Sequence, residues 1–291
     1  MHIPVLLYEV IKFLNLEPGK FIVDGTVNGG GHAEEILKPL GVRGNFLGID
    51  WDQDVLIGTR ERLGAKRNVR LVQGNYAELP KILKEQKMPL ADGLLLDLGF
   101  SSEQLEWRGR GFSFMKDEPL RMTYDTTRPS AAEVLRQLSE QELTKIIYDF
   151  SNERFARRIA HAIKLAEREG KILTTGELAA VIEKAVPGNY EMRRLNPATR
   201  TFQALRIYVN DELGNLEKVL KSLTQIVAPG GRVVIISFHS LEDRLVKNNF
   251  KKLVQDKKAK LLTKKPITAT REEIVENPRS RSAKLRALEI I

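Results

Sequence analysis

The chain has 291 residues, 42% of them hydrophobic and 29% charged, with a formal charge of +9 and no cysteine. That length suits one large domain or two smaller ones with ample core, and no apolar run approaches the roughly 20 residues of a membrane span. The lack of cysteine excludes disulfides, thiolate metal sites and cysteine nucleophiles, and with them attack on a pyrimidine carbon through a cysteine adduct.

The four histidines, at 2, 32, 161 and 239, show no metal-ligand spacing, so the chemistry is expected to run without a metal. Met1-His-Ile-Pro4 carries neither a basic segment nor an apolar core of a secretory signal, which points to a cytoplasmic protein.

In chain order, apolar strands at 21–24, 45–50, 69–73 and 93–98 alternate with helical patterns near 33–39, 53–63 and 77–86. That alternation is the pattern of a parallel α/β sheet. The first strand runs from Phe21 to Asp24 and straight into Gly25-Thr-Val-Asn28-Gly29-Gly30-Gly31-His32. Glycines before a helix let backbone N–H groups approach a ligand closely. The second strand ends in Asp50, about 20 residues on, where a ribose diol is usually held. Residue 34 is Glu where a dinucleotide fingerprint would want glycine, and there is no P-loop lysine. An acid at the start of the loop, Asp24, opposes a pyrophosphate and suits an ammonium. S-adenosylmethionine carries an ammonium, a sulfonium and a ribose without phosphate, so charge favours it over NAD. After the third strand, Tyr76 offers a flat face to an adenine. Asp97, at the end of the fourth strand, is placed to contact the cofactor, a target amine or both, and Phe100 could stack on a base.

After Ser102 the rhythm changes. Residues 106–115, rich in glycine, arginine and aromatics, read as a loop, and 130–191 read as nearly all helix. Ser130 reads as an N-cap, and Ser139-x-x-Glu142 and Thr174-x-x-Glu177 as capping boxes. Asn196-Pro197 opens a long helical region that reaches about Val227. Pro229-Gly-Gly231 is expected to break it, followed by a strand over 232–238, a helix capped by Ser240 and a last strand over 285–291. The expected organisation is a doubly wound Rossmann-like α/β domain from 1–104 and 197–291, interrupted by an all-helical insertion at 105–196. His239 falls on the same rim as Asp97 and is a candidate proton acceptor or RNA contact.

Eight lysines lie between 247 and 265 with one acid, Asp256, and Arg279, Arg281, Lys284 and Arg286 follow. Such clustering reads as a face that tracks phosphates, against the plainer reading of a solvated lysine-rich surface. Two rival classes stay open on these grounds: an NAD-dependent oxidoreductase, and a non-catalytic RNA-binding or ribosome-assembly protein.

Six ordered segments carry a resemblance that spans essentially the whole chain. They are Asp24-Gly-Thr-Val-Asn-Gly-Gly-Gly-His32, Leu95-Leu-Asp-Leu-Gly-Phe-Ser-Ser-Glu-Gln104, Arg110-Gly-Phe-Ser-Phe-Met115, Asn196-Pro-Ala-Thr-Arg-Thr-Phe-Gln-Ala-Leu-Arg206, Ser237-Phe-His-Ser-Leu-Glu-Asp243 and Asn277-Pro-Arg-Ser-Arg-Ser-Ala-Lys-Leu-Arg286. Together they resemble MraW-type methyltransferases, bacterial enzymes that methylate the N4 amine of one cytidine in the decoding region of small-subunit ribosomal RNA. The resemblance implies S-adenosylmethionine as cofactor, with contacts at Gly30, Gly31, His32, Asp50, Tyr76, Asp97 and Gln104. It implies ribosomal RNA, free or in the assembled small subunit, as partner.

Overall fold

Four short strand-forming runs, each bounded by turn-forming residues, set the frame. The computed structural model describes residues 4–99, 109–125, 128–193 and 195–291. Strands β1 (Phe21–Asp24), β2 (Asn45–Asp50), β3 (Val69–Gln73) and β4 (Ala91–Asp97) alternate with helices α1 (Leu7–Leu14), α2 (Gly31–Leu40), α3 (Gln53–Leu63) and α4 (Leu79–Glu85). Strand β5 (Val227–Ser237), helix α12 (Ser240–Gln255), strand β6 (Ala259–Leu261), helix α13 (Arg271–Glu276) and strand β7 (Lys284–Ile290) complete this part.

Among the described residues seven strands form one sheet in the order β3-β2-β1-β4-β5-β7-β6, with β7 antiparallel to both of its neighbours. Side chains alternate between the faces, as the pleat dictates. Val23, Leu94, Leu96, Val233 and Ile235 meet α4 and α12 on one face, while Ile22, Leu95, Val234 and Ile236 meet α1, α2 and α3 on the other. Both faces are covered, which explains why these strands read as unbroken apolar runs. Chain order reverses between β1 and β4, so a crevice is expected at their carboxyl ends.

Helices α5 (Ala131–Gln137), α6 (Glu140–Ser151), α7 (Ala156–Arg168), α8 (Thr175–Ala185) and α9 (Ala198–Asn210) build a second core. Ser139 and Thr174 cap α6 and α8 in reciprocal boxes with Glu142 and Glu177, as the spacing predicts, and Ser130, expected as a plain N-cap, forms a box with Glu133 on α5. Helices α10 (Glu212–Lys221) and α11 (Leu223–Ile226) follow. The chain divides into two compact units, Met1–Ser102 with Leu213–Ile291, and Glu103–Glu212. The sequence placed the return to the sheet at 197. Helix α9 instead buries Ala198, Phe202, Leu205 and Val209 in the helical core, so the observed return comes after Glu212.

Two local expectations are corrected. Pro229-Gly-Gly231 does not end an element: β5 starts at Val227 and runs through it, with a register shift opposite Ala91 and Gly93. A proline within a strand is tolerated at such an irregularity. The long helical region after Asn196 breaks at Asp211, which is left-handed at φ 50°, and again at Ser222. No helix among the described residues is long and apolar enough to cross a membrane.

Candidate active site

The loop after β1 is forced into shape by crowding. A Cβ on Gly25 would lie 2.6 Å from the buried Leu96 side chain and 3.1 Å from that of Tyr76, so a larger residue there would have to displace them. Asn28, Gly29 and Gly30 follow in left-handed conformation at φ 45°, 74° and 82°. They deliver the chain into α2 with no side chain capping its first turn. Its leading N–H groups are therefore presented without a side-chain acceptor, an arrangement suited to a carboxylate.

Three acids end three adjacent strands, and all are buried: Asp24, Asp50 and Asp97. Thr26 ties two of them together. Its N–H donates to Asp24 Oδ1 at 3.1 Å, and its hydroxyl oxygen accepts the N–H of Asp97 at 2.6 Å. Asn28 ties another two: its N–H donates to Asp50 Oδ2 at 3.1 Å and its side-chain amide to the Asp97 carbonyl at 3.0 Å. Asp50 Oδ1 accepts the N–H of Asp52, and Asp52, not Asp50, caps α3. Its place at the end of β2 suits Asp50 to a ribose diol. In the structure Oδ1 already accepts the N–H of Asp52 and Oδ2 that of Asn28, and the Trp51 N–H also bonds the carboxyl.

Burial pushes the carboxyls of Asp24 and Asp50 up to about 7, with the neighbouring charge of Asp50 adding to the effect at Asp24 and that of Asp52 at Asp50. Asp97 is raised well above the usual carboxylate range, first by burial and then by Asp24 and Glu242. No lysine or arginine pairs with any of the three among the described residues. Asp24 Oδ2 and Asp97 Oδ1 are buried without a hydrogen-bond partner. A buried acidic cluster with orphaned oxygens calls for a cation or for hydroxyl and amine donors. An ammonium, a sulfonium and a ribose fit this donor set; a pyrophosphate does not.

The remaining predicted positions divide. Gly30 and Gly31 form the buried turn into α2. The side chain of His32 is turned inward: Nε2 lies 2.9 Å from the Val5 carbonyl and Nδ1 3.6 Å from Asp97 Oδ2. Tyr76 opens a 3-10 turn, Tyr76–Glu78, capped by Asn75, and rests half-buried against the core. Gln104 and Phe100 lie outside the described residues.

His239 corrects a sequence expectation. Ser240 is the first residue of α12, and the cap is His239, whose Nδ1 accepts the N–H of Glu242 at 3.4 Å. Its Nε2 lies 3.2 Å from Glu242 Oε1, while Oε2 of Glu242 accepts the N–H groups of Phe238 and His239. Sequence reasoning missed Thr26, Asn28 and Glu242. An asparagine inside a glycine cluster was the one available signal, since asparagine tolerates positive φ better than most residues.

The basic stretch separates into two kinds of residue. None of the eight lysines from Lys247 to Lys265 pairs with an acid among the described residues, whereas Lys38 and Lys221 do. Arg286 is not part of that surface. It is buried on β7 and grips Asp243 in the first turn of α12 at 2.6 and 3.3 Å.

The whole chain, residues 1–291, matches the MraW methylase family. The chain belongs to that family. It is 46% identical to the ribosomal RNA small subunit methyltransferase H of Syntrophus aciditrophicus (strain SB), over 100% of this chain and 98% of that protein. It is 45% identical to the protein of the same name from Geobacter sulfurreducens (strain ATCC 51573 / DSM 12127 / PCA), over 99% and 98%. It is 44% identical to that of Clostridioides difficile (strain 630), over 100% and 99%. Membership in a methylase family accounts for a buried, phosphate-averse acidic cluster at the switch point better than either rival class does.

Proposed function

We propose that this protein transfers a methyl group from S-adenosylmethionine to the N4 amine of a cytidine in the decoding region of small-subunit ribosomal RNA, in the cytoplasm and without a metal. The observation that carries the reading is the set of three buried strand-end carboxylates, two with an orphaned oxygen, in a chain whose family is a methylase family. The amine as target comes from the resemblance, and small-subunit ribosomal RNA as substrate also from the names of the relatives.

When bound, S-adenosylmethionine supplies an electrophilic methyl on its sulfonium. Asp50 would accept ribose hydroxyls, and Asp24 would face the ammonium. The uncapped first turn of α2, from Gly30 and Gly31 onward, would receive the carboxylate. Tyr76 would line the adenine, and Gln104 would complete the contacts. Asp97 has the central part. An exocyclic amine is a poor nucleophile because its lone pair is delocalised into the ring. Asp97 Oδ1 accepting one N–H draws that lone pair back onto nitrogen, and the raised proton affinity of the carboxyl suits it to take the proton the amine loses as it gains the methyl. His239 enters through Glu242: it caps the helix that carries this acid, whose charge raises the proton affinity of Asp97.

Incubating the protein with labelled S-adenosylmethionine and small ribosomal subunits tests the reading. Label in a single cytidine is expected, and Asp97→Asn is expected to cut the rate by at least about 100-fold while the fold is kept. No labelled RNA with the wild-type protein, or full activity in the variant, would count against it.

A further inference from the structure

We propose that His32 is a positioning residue for Asp97, and that it decides which carboxylate oxygen faces the target amine. The inference rests on the functional reading above and goes beyond it, since the glycine-loop histidine enters that reading only as part of the cofactor turn.

The geometry runs from the N-terminal segment inward. The Val5 carbonyl can only accept, so the ring nitrogen 2.9 Å from it, Nε2, carries a hydrogen. Nδ1 is then the atom turned to Asp97 Oδ2, at 3.6 Å, with both side chains almost wholly buried. Two bare lone pairs at that separation in a dry site would repel, so a proton lies between them, on one partner or the other. Oδ2 is thereby the oxygen turned to the histidine, and Oδ1, buried without a hydrogen-bond partner, is left as the acceptor. The charges around the pair agree. Asp24 from β1 and Glu242 from α12 both face Asp97, and both favour keeping a proton in the pair. The Asp97 backbone is fixed separately by Thr26 and Asn28, so rotation of the carboxyl is the one freedom His32 must remove.

Two variants separate this role from a merely structural one, because each keeps one nitrogen of the ring. His32→Gln can still donate to Val5 but offers nothing to Asp97; His32→Asn keeps the group toward Asp97 and loses the tie to Val5. Single-turnover transfer is expected to fall on the order of 100-fold in His32→Gln and clearly less in His32→Asn. Any loss of S-adenosylhomocysteine affinity, read by calorimetry, should be the same in both variants, since both keep the main chain of the glycine turn. Equal losses of transfer rate, or the reverse order, would overturn the proposal and leave His32 as a tie for the N-terminal segment.

A readout without turnover decides the matter independently. In the imidazole nitrogen spectrum of the labelled protein, His32 should be protonated at Nε2, and its Nδ1 resonance should move in Asp97→Asn. An Nδ1 signal indifferent to that substitution would also overturn it. Should the wild-type protein fail to methylate subunits, the functional reading falls, and the spectrum still reports on the pair.

Discussion

The side-chain amide of Asn28 donates to the main-chain carbonyl of Asp97 at 3.0 Å, across the point where the sheet reverses its order. The same residue gives its own N–H to Asp50, so one left-handed asparagine couples the acids that end β2 and β4. Asn28→Gly keeps the backbone angle and the N–H to Asp50 and loses only the side-chain bond, an expected loss of about 1 kcal/mol. Asn28→Ala loses that bond and adds left-handed strain of about 1–2 kcal/mol. Urea unfolding of the two variants should therefore rank alanine below glycine, and equal midpoints would show that φ at this position is not strained.

The acidic cluster makes ligand-free stability depend on pH in an unusual direction. Asp24 and Asp50 sit near 7 in the folded chain and near their ordinary value when unfolded, so between about pH 4 and 7 the folded state holds more protons. Stability is then fully present below about pH 4 and is lost as pH rises through about 7, by a few kcal/mol at most. Acids whose affinity is lowered, such as Glu133 and Glu142 in their capping boxes, act only below their ordinary range and leave the window clear. Denaturation midpoints of the ligand-free protein should fall from pH 5 to 8, and Asp24→Asn should flatten the slope. Affinity for S-adenosylhomocysteine, which retains the ammonium, should rise over the same interval as the carboxylates ionise.

Much of this site was legible because each acid closes an apolar run. Phe21–Asp24, Asn45–Asp50 and Val69–Gln73 were bounded by sequence as they are in the structure. Two boxed helices were legible from Ser-x-x-Glu and Thr-x-x-Glu alone, and the start of a third from Ser130 as its cap. What sequence did not show depends on partners far along the chain. Helix α1 starts from Leu6 in left-handed conformation, without a capping side chain, and the N–H of Leu6 is met instead by Glu273. The three-residue strand β6 exists because β7 offers it an edge. Asn28, Thr26 and Glu242 became site residues only when the strand ends were brought side by side.

His239 gives a prediction because histidine is an uncommon cap. Its ring holds the N–H of Glu242, and Glu242 in turn faces Asp97. His239→Ala should destabilise the chain by about 1 kcal/mol, and His239→Asn, a strong cap, should recover it. If the residue acts only through the helix, transfer rate should recover with stability in the asparagine variant. Recovery of the unfolding midpoint without recovery of the rate would assign the ring a direct part in the reaction.

The unpaired lysines make a claim of a different kind, about affinity and not chemistry. Surface lysines that serve solubility are commonly answered by nearby acids, as Lys221 is by Glu217 four residues earlier. Lys251 and Lys252 near the end of α12, and Lys257, Lys258 and Lys260 beside β6, are exposed and have no such partner among the described residues. If they meet RNA phosphates, binding should weaken with salt, and each contact removed should lower the slope of log K against log salt by just under about one. Lys251→Glu with Lys252→Glu is therefore expected to weaken RNA binding most at low salt and to reduce the slope by between one and two, approximately, counting both positions. Calorimetry with S-adenosylhomocysteine should be unaffected, since the substitutions lie well along the helix from Glu242. An unchanged salt slope would return these lysines to an ordinary solvated surface and move the RNA contact elsewhere on the chain.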